Sequence, residues 1–222
     1  GYDSAGIAVY NGSTIACCKS KGKISKLEKN LSKRKNLNGG LGIGHTRWAT
    51  HGEPNNVNAH PQFSNSNELC LVHNGIIENY STIKQKLIKE GFSFKSETDT
   101  EVLVNLIEYV KTKENVKLGE AVQIALNQVI GAYAIAVIDN NKPDEIVVAK
   151  LGSPLCIGVG DDEYFIGSDV TPFLEYTKNV IYLKDGELAI IRNHKETFYR
   201  KIVDDKIISP TVSKLELSLD KI

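Results

Sequence analysis

Methionine is absent from the 222 residues, and the chain opens on Gly1-Tyr2-Asp3. The expectation is a piece of a longer protein whose natural start lies upstream. Net charge is missing too, since 27 basic side chains face 27 acidic ones. A neutral chain lacks the electrostatic footprint of a nucleic-acid or anionic-membrane binder, so neither partner is expected. Lysines do crowd residues 19–35, seven of them beside Arg34. Glu28 and the interspersed Asn and Ser residues dilute that run, which reads as a solvated helix and loop. No apolar run approaches the roughly 20 residues of a membrane span, and no signal peptide is visible. Cys17, Cys18, Cys70 and Cys156 form no C-x-x-C pair, and the adjacent two lie in a strand-like run where their side chains point to opposite faces. That excludes a disulfide framework and a zinc ribbon, and fits buried free thiols in a reducing compartment, the cytoplasm.

Hydrophobic content of 41% and charged content of 24% are those of an ordinary globular domain long enough for a substantial core. A hairpin is expected at residues 6–10 and 13–19 around Asn11-Gly12. Residues 24–37 read as helix and loop. Short strands are expected at residues 41–45 and 68–73. Helices follow at 81–90, 98–111 and 118–130, each with an apolar stripe, the second opening at Thr98 or Asp99 with Glu101 as an acidic start. Strands then dominate, at 132–139, 145–151, 155–159, 164–167, 180–183, 188–192 and 197–201. This order predicts an α+β layered domain, two sheets with helices outside. It is expected to occupy residues 1–208, with 209–222 the start of a linker.

The densest signal is Gly42-Ile43-Gly44-His45-Thr46-Arg47-Trp48-Ala49-Thr50-His51-Gly52-Glu53-Pro54, which holds the single tryptophan of the chain. After a short strand it reads as a polar loop, the kind of segment on which binding residues sit. Other polar clusters are Asn58-Ala59-His60-Pro61, His73-Asn74-Gly75 and residues 96–101 at a helix start. They complement one another chemically. Arg47 can clamp a carboxylate, and Asp99 can hold an ammonium group. Asn74 offers a side-chain NH2 and Gly75 an unobstructed backbone N–H, a pair suited to an oxyanion. Together they fit an α-amino acid with a reactive side-chain amide. Each has a plain structural alternative: a turn for Asn74-Gly75, a helix cap for Asp99, a surface ion pair for Arg47. His45, His51, His60 and His73 match no metal-ligand spacing, so no metal site and no cofactor are expected. His45 and His73 read as hydrogen-bonded structural histidines.

Taken together, residues 1–6, 45–52, 58–61, 73–79 and 96–101 resemble the glutaminase domains of the glutamine–fructose-6-phosphate aminotransferase (isomerizing) family. Gly152-Ser153-Pro154-Leu155 and Gly167-Ser168-Asp169 match its later strands. The resemblance implies a four-layer αββα sandwich of the N-terminal-nucleophile hydrolase type, here lacking its first strand and helix. It implies hydrolysis of L-glutamine to glutamate and ammonia. Arg47 and Asp99 would bind the α-carboxylate and α-amino groups, Trp48, Thr50 and His51 would belong to a closing loop, and Asn74 and Gly75 would form the oxyanion hole. The ammonia would pass to absent C-terminal domains that bind fructose 6-phosphate, in a full-length homo-oligomer.

The family's nucleophile is an N-terminal cysteine whose own α-amino group, with a pKa of about 7.7–8.0, acts as base. That cysteine precedes the block that here begins at Gly1. An internal cysteine has no free α-amine, so none of the four present can replace it, and the chain alone is expected to be inactive. Two alternatives stay open: a catalytically dead glutamine-binding regulatory module, and the glutaminase domain of another class II amidotransferase.

Overall fold

The computed structural model describes residues 2–49, 52–192 and 197–216. Its backbone is a seven-stranded antiparallel sheet between helices on one face and a second, split layer of strands on the other. The large sheet runs β13 (Ile207–Ile208), β12 (Phe198–Lys201), β11 (Glu187–Arg192), β7 (Glu145–Leu151), β6 (Gly131–Asp139), β5 (Leu69–Ile77), β4 (Gln62–Phe63). Period-two alternation gives its central strands two apolar faces. Ile135 and Val137 of β6 and Val147 and Ala149 of β7 turn towards the helices. Ala134, Ala136, Ile138, Ile146 and Val148 turn the other way.

Helices α2 (Tyr80–Lys89), α3 (Asp99–Lys113) and α4 (Leu118–Leu126) cover the first face. α3 is the most deeply set, with Val102, Leu103, Leu106 and Ile107 at most 1% exposed. Each such side chain contributes about 1.5–3 kcal/mol of burial. The second face is covered by two small sheets. One is ordered β2 (Ile15–Lys21), β1 (Ser4–Tyr10), β3 (Leu41–Arg47), with α1 (Ile24–Leu31) packed outside it through Leu27. The other is ordered β14 (Val212–Lys214), β10 (Asn179–Tyr182), β8 (Cys156–Val159), β9 (Tyr164–Gly167), backed by a 3-10 turn at Thr171–Phe173. The layers are therefore helix, sheet, sheet, helix, as expected. The inner strand layer is not one sheet among the described residues: β3 and β9 each end their own sheet with an open edge.

Several sequence-based boundaries shift. The first hairpin closes Tyr10 on Ile15, so its loop is Asn11–Thr14 and not a two-residue turn. Asn11 Oδ1 accepts the N–H groups of Ser13 and Thr14, both at 3.1 Å, which makes the longer turn self-supporting. β3 runs on to Arg47, because pairing of Arg47 with Ser4 of β1 overrides local loop character. β5 continues through Asn74 and Gly75 to Ile77 against β6, so that cluster is inside a strand and not in a turn. α4 stops at Leu126, earlier than the apolar stripe suggested. The two-residue strands β4 and β13 carry too few residues to show periodicity. Residues 209–222, expected to start a linker, contain β14, which pairs with β10 through Lys214.

Candidate active site

A cavity of about 650 Å³ opens between the free edges of β3 and β9, floored by β5 and β6 of the large sheet. Ala134 and Ala136 lie in that floor, and their short side chains leave the space open. Arg47, Trp48, Asn74, Gly75 and Asp99 all line it, so residues far apart in sequence converge on one volume. Thr50 and His51, the other expected members, lie outside the described residues.

Arg47 ends β3 and is 3% exposed. Its Nη2 donates to the carbonyl of Gly52 at 3.1 Å. Burial lowers its proton affinity, and the carboxylates of Asp3, Asp99 and Glu97 counter this; a guanidinium stays charged regardless. The turn beyond it is held by Asp3, whose Oδ2 accepts the Ala49 N–H at 2.7 Å. Trp48 projects at the cavity rim, 72% exposed, edge-on to Tyr2 at 6.4 Å between ring centres. The return segment is pinned by Asn58, which donates to Glu97 Oε2 at 3.0 Å and accepts the Glu97 N–H at 3.0 Å. Gly52 has φ +83°, and a Cβ there would meet Asn58 Nδ2 at 2.6 Å, so glycine alone fits.

Asp99 opens α3. Thr98 is the cap, its side chain accepting the Glu101 N–H at 3.2 Å. Glu101 reaches back to the N–H of Ser96 at 2.6 Å and of Lys95 at 2.9 Å, fixing the approach to the helix. Asp99 Oδ2 accepts the Ile77 N–H at 2.8 Å, which locks the carboxylate against β5. Asn74 Oδ1 lies 2.7 Å from His45 Nε2.

Three histidines surround this wall. His60 Nε2 and His73 Nδ1 lie 2.7 and 3.0 Å from Thr100 Oγ1, and the His45 and His60 rings stack at 4.5 Å. Burial pushes the His45 pKa down to about 4, and also lowers those of His60 and His73, so all three are neutral at pH 7. The sequence marked these histidines as members of polar clusters. It gave no sign that Thr100 would join two of them, because only the fold brings that helix turn to β5. None of Cys17, Cys18, Cys70 and Cys156 lines the cavity. Burial raises the Cys17 and Cys156 thiols to about 11 and raises Cys70 as well, making them inert.

Residues 30–207 match the family model described as "Glutamine amidotransferase domain". The chain belongs to the glutamine amidotransferase domain family. Over its full length this amidotransferase domain is 53% identical to the glutamine–fructose-6-phosphate aminotransferase (isomerizing) of Bacteroides thetaiotaomicron, and 48% identical to that of Chlorobaculum tepidum. It spans 36% of each of those relatives. Among solved structures, the glutamine phosphoribosylpyrophosphate amidotransferase from B. subtilis superposes with a TM-score of 0.76 at 30% identity, over 92% of this chain and 44% of that one. A glutamine aminotransferase class-II domain protein from Silicibacter pomeroyi shares the fold, with a TM-score of 0.63 at 15% identity. The amidotransferase domain thus has the N-terminal-nucleophile hydrolase type of fold expected from its sequence. Among the described residues no helix is long and apolar enough to cross a membrane.

Proposed function

We propose that the cavity binds L-glutamine and that its side-chain amide is hydrolysed there to glutamate and ammonia. The observation that carries this reading is the meeting of a buried cation and a buried carboxylate, Arg47 and Asp99, in one cavity with the Asn74 amide and Gly75. Arg47 takes the α-carboxylate and Asp99 the α-ammonium, leaving the side-chain amide to reach Asn74 and Gly75. These two donate to the oxyanion as the carbonyl is attacked. Trp48 at the rim, with Thr50 and His51, closes over the substrate.

The attacking group in this reading is an N-terminal cysteine outside the 222 residues, its α-amine acting as base. Two features support it: the internal thiols are absent from the cavity lining, and β3 and β9, which both border the cavity, each end their own sheet. For the whole protein the reading is a glutamine–fructose-6-phosphate aminotransferase. In it the ammonia released here passes to further domains that hold the sugar phosphate, in a cytoplasmic homo-oligomer.

Steady-state kinetics of the full-length protein test the assignment. Arg47→Ala is expected to raise KM for glutamine about 10- to 100-fold with a small change in kcat. Asn74→Ala is expected to lower kcat about 10²- to 10³-fold with a small change in KM. The reverse pattern overturns the roles. Glutamate release by the 222-residue chain alone overturns the external nucleophile.

A further inference from the structure

The side chain of Asn74 has two chemically opposite ends, and only one of them can stabilise a developing negative charge. An amide can turn over about its last bond, placing its oxygen or its NH2 in the cavity. Asn74 is in the large sheet and His45 in the layer above it, and their contact at 2.7 Å bridges the two.

We propose that His45 is a positioning residue of this site: its Nε2–H holds the Asn74 oxygen turned away from the cavity, so that the NH2 is the end offered to the substrate. The proposal rests on the reading of Asn74 as an oxyanion donor. The alternative arrangement reverses both partners, with the Asn74 NH2 donating to a bare His45 Nε2 and the ring proton moved to Nδ1. His45 Nδ1 is buried and has no hydrogen-bond partner. A buried N–H without an acceptor is rarer and costlier than a buried lone pair without a donor. The tautomer that keeps Nδ1 bare is therefore preferred, and it fixes the amide. Burial keeps the ring neutral, so a single proton has to be placed. The ring itself cannot swing freely, because it is stacked on His60, which is held by Thr100 at 2.7 Å.

The test is a variant series in the full-length glutamine-hydrolysing protein. His45→Phe keeps a ring against His60 and removes the donor. His45→Gln returns an NH2 near the place of Nε2, whereas His45→Asn places its NH2 near Nδ1, out of reach of Asn74. His45→Phe is expected to lower kcat about 10- to 100-fold, no more than Asn74→Ala does, with KM changed less than about threefold. His45→Gln is expected to recover rate, and His45→Asn is not. The double variant His45→Phe/Asn74→Ala is expected to be no slower than Asn74→Ala, because both remove one interaction.

A folded His45→Phe protein with unchanged kcat, beside a slow Asn74→Ala, overturns the proposal and leaves the oxyanion reading standing. So does a double variant whose losses multiply. An unchanged kcat in Asn74→Ala removes the oxyanion reading itself. Should His45→Phe not fold, the Gln and Asn variants decide: equal rates for the two overturn the proposal.

Discussion

His73 Nδ1 lies 4.0 Å from Asp99 Oδ2, and the two do not form an ion pair. His73 Nε2 faces the carbonyl of Ala132 at 3.4 Å, and a carbonyl only accepts, so Nε2 carries the proton. The neutral ring then has a bare Nδ1, which accepts the Thr100 hydroxyl, and the Thr100 oxygen accepts from His60 Nε2–H. The chain of donors runs one way, from His60 through Thr100 and His73 to Ala132, and Asp99 stands outside it. Burial lowers the His73 pKa despite the neighbouring carboxylate, in keeping with a neutral ring.

This arrangement makes stability depend on acid. The histidine pKa values are depressed in the folded chain, while an unfolded histidine titrates near about 6.5. Below that pH the unfolded state binds more protons, so stability is full above pH 6.5 and falls as pH drops towards 4. Each buried histidine adds a slope of at most about 1.4 kcal/mol per pH unit. Thermal melting between pH 7.5 and 4.5 should show Tm falling through this window. His60→Gln keeps a donor for Thr100 without titrating, and its Tm should fall less steeply.

In the proposed binding mode Asp99 acts through its charge. Asp99→Asn keeps an oxygen for the Ile77 N–H and leaves the first turn of α3 in place. The loss of a charged hydrogen bond to the ammonium corresponds to about 10- to 100-fold in KM for glutamine. Stability should change little, and a KM unchanged in this variant would remove Asp99 from substrate binding.

Most of the elements were legible in the sequence, because apolar periodicity survives wherever one face is buried. The stripe of α3 is an example, whereas β6, buried on both faces, reads as a continuous apolar run. The site was less so, for physical reasons. Asn74-Gly75 has the composition of a turn, and only pairing with Ala134 and Tyr133 keeps it in β5. Arg47 reads as the start of a loop, but Ser4 of β1 extends the strand to it. The convergence of Arg47, Asn74 and Asp99 depends on contacts between layers, which leave no trace in local spacing. The Thr100 link between His60 and His73 is of the same kind.

Thr98 couples fold to site. Its hydroxyl caps α3 and meets Ser96 Oγ at 2.8 Å, and the turn it starts carries both Asp99 and Thr100. Thr98→Ala should cost about 1 kcal/mol, a fall in Tm of about 2–4 °C for a chain of this size. KM for glutamine should rise with it. Thr98→Ser restores the hydroxyl and should restore both. A fall in Tm without a change in KM would show that the cap supports the helix alone.

Gly75 leaves no room for a side chain. Its φ is +123°, and a Cβ would stand 2.1 Å from the Ala132 oxygen and 2.7 Å from the Ala132 carbonyl carbon. Both are backbone atoms of the adjacent central strand, so relief requires β5 and β6 to separate. Strain of about 1–3 kcal/mol from the backbone conformation adds to a similar cost from the clash. Gly91 separates the two terms, since its φ is +91° and nothing lies within 4 Å of a Cβ there. Gly91→Ala should therefore cost about 1 kcal/mol, and Gly75→Ala at least about 3 kcal/mol. Urea unfolding at constant m-value measures both. Equal midpoints for the two variants would mean that the β5–β6 ladder yields at Gly75, and the close backbone contact behind the proposed oxyanion donor would not be rigid.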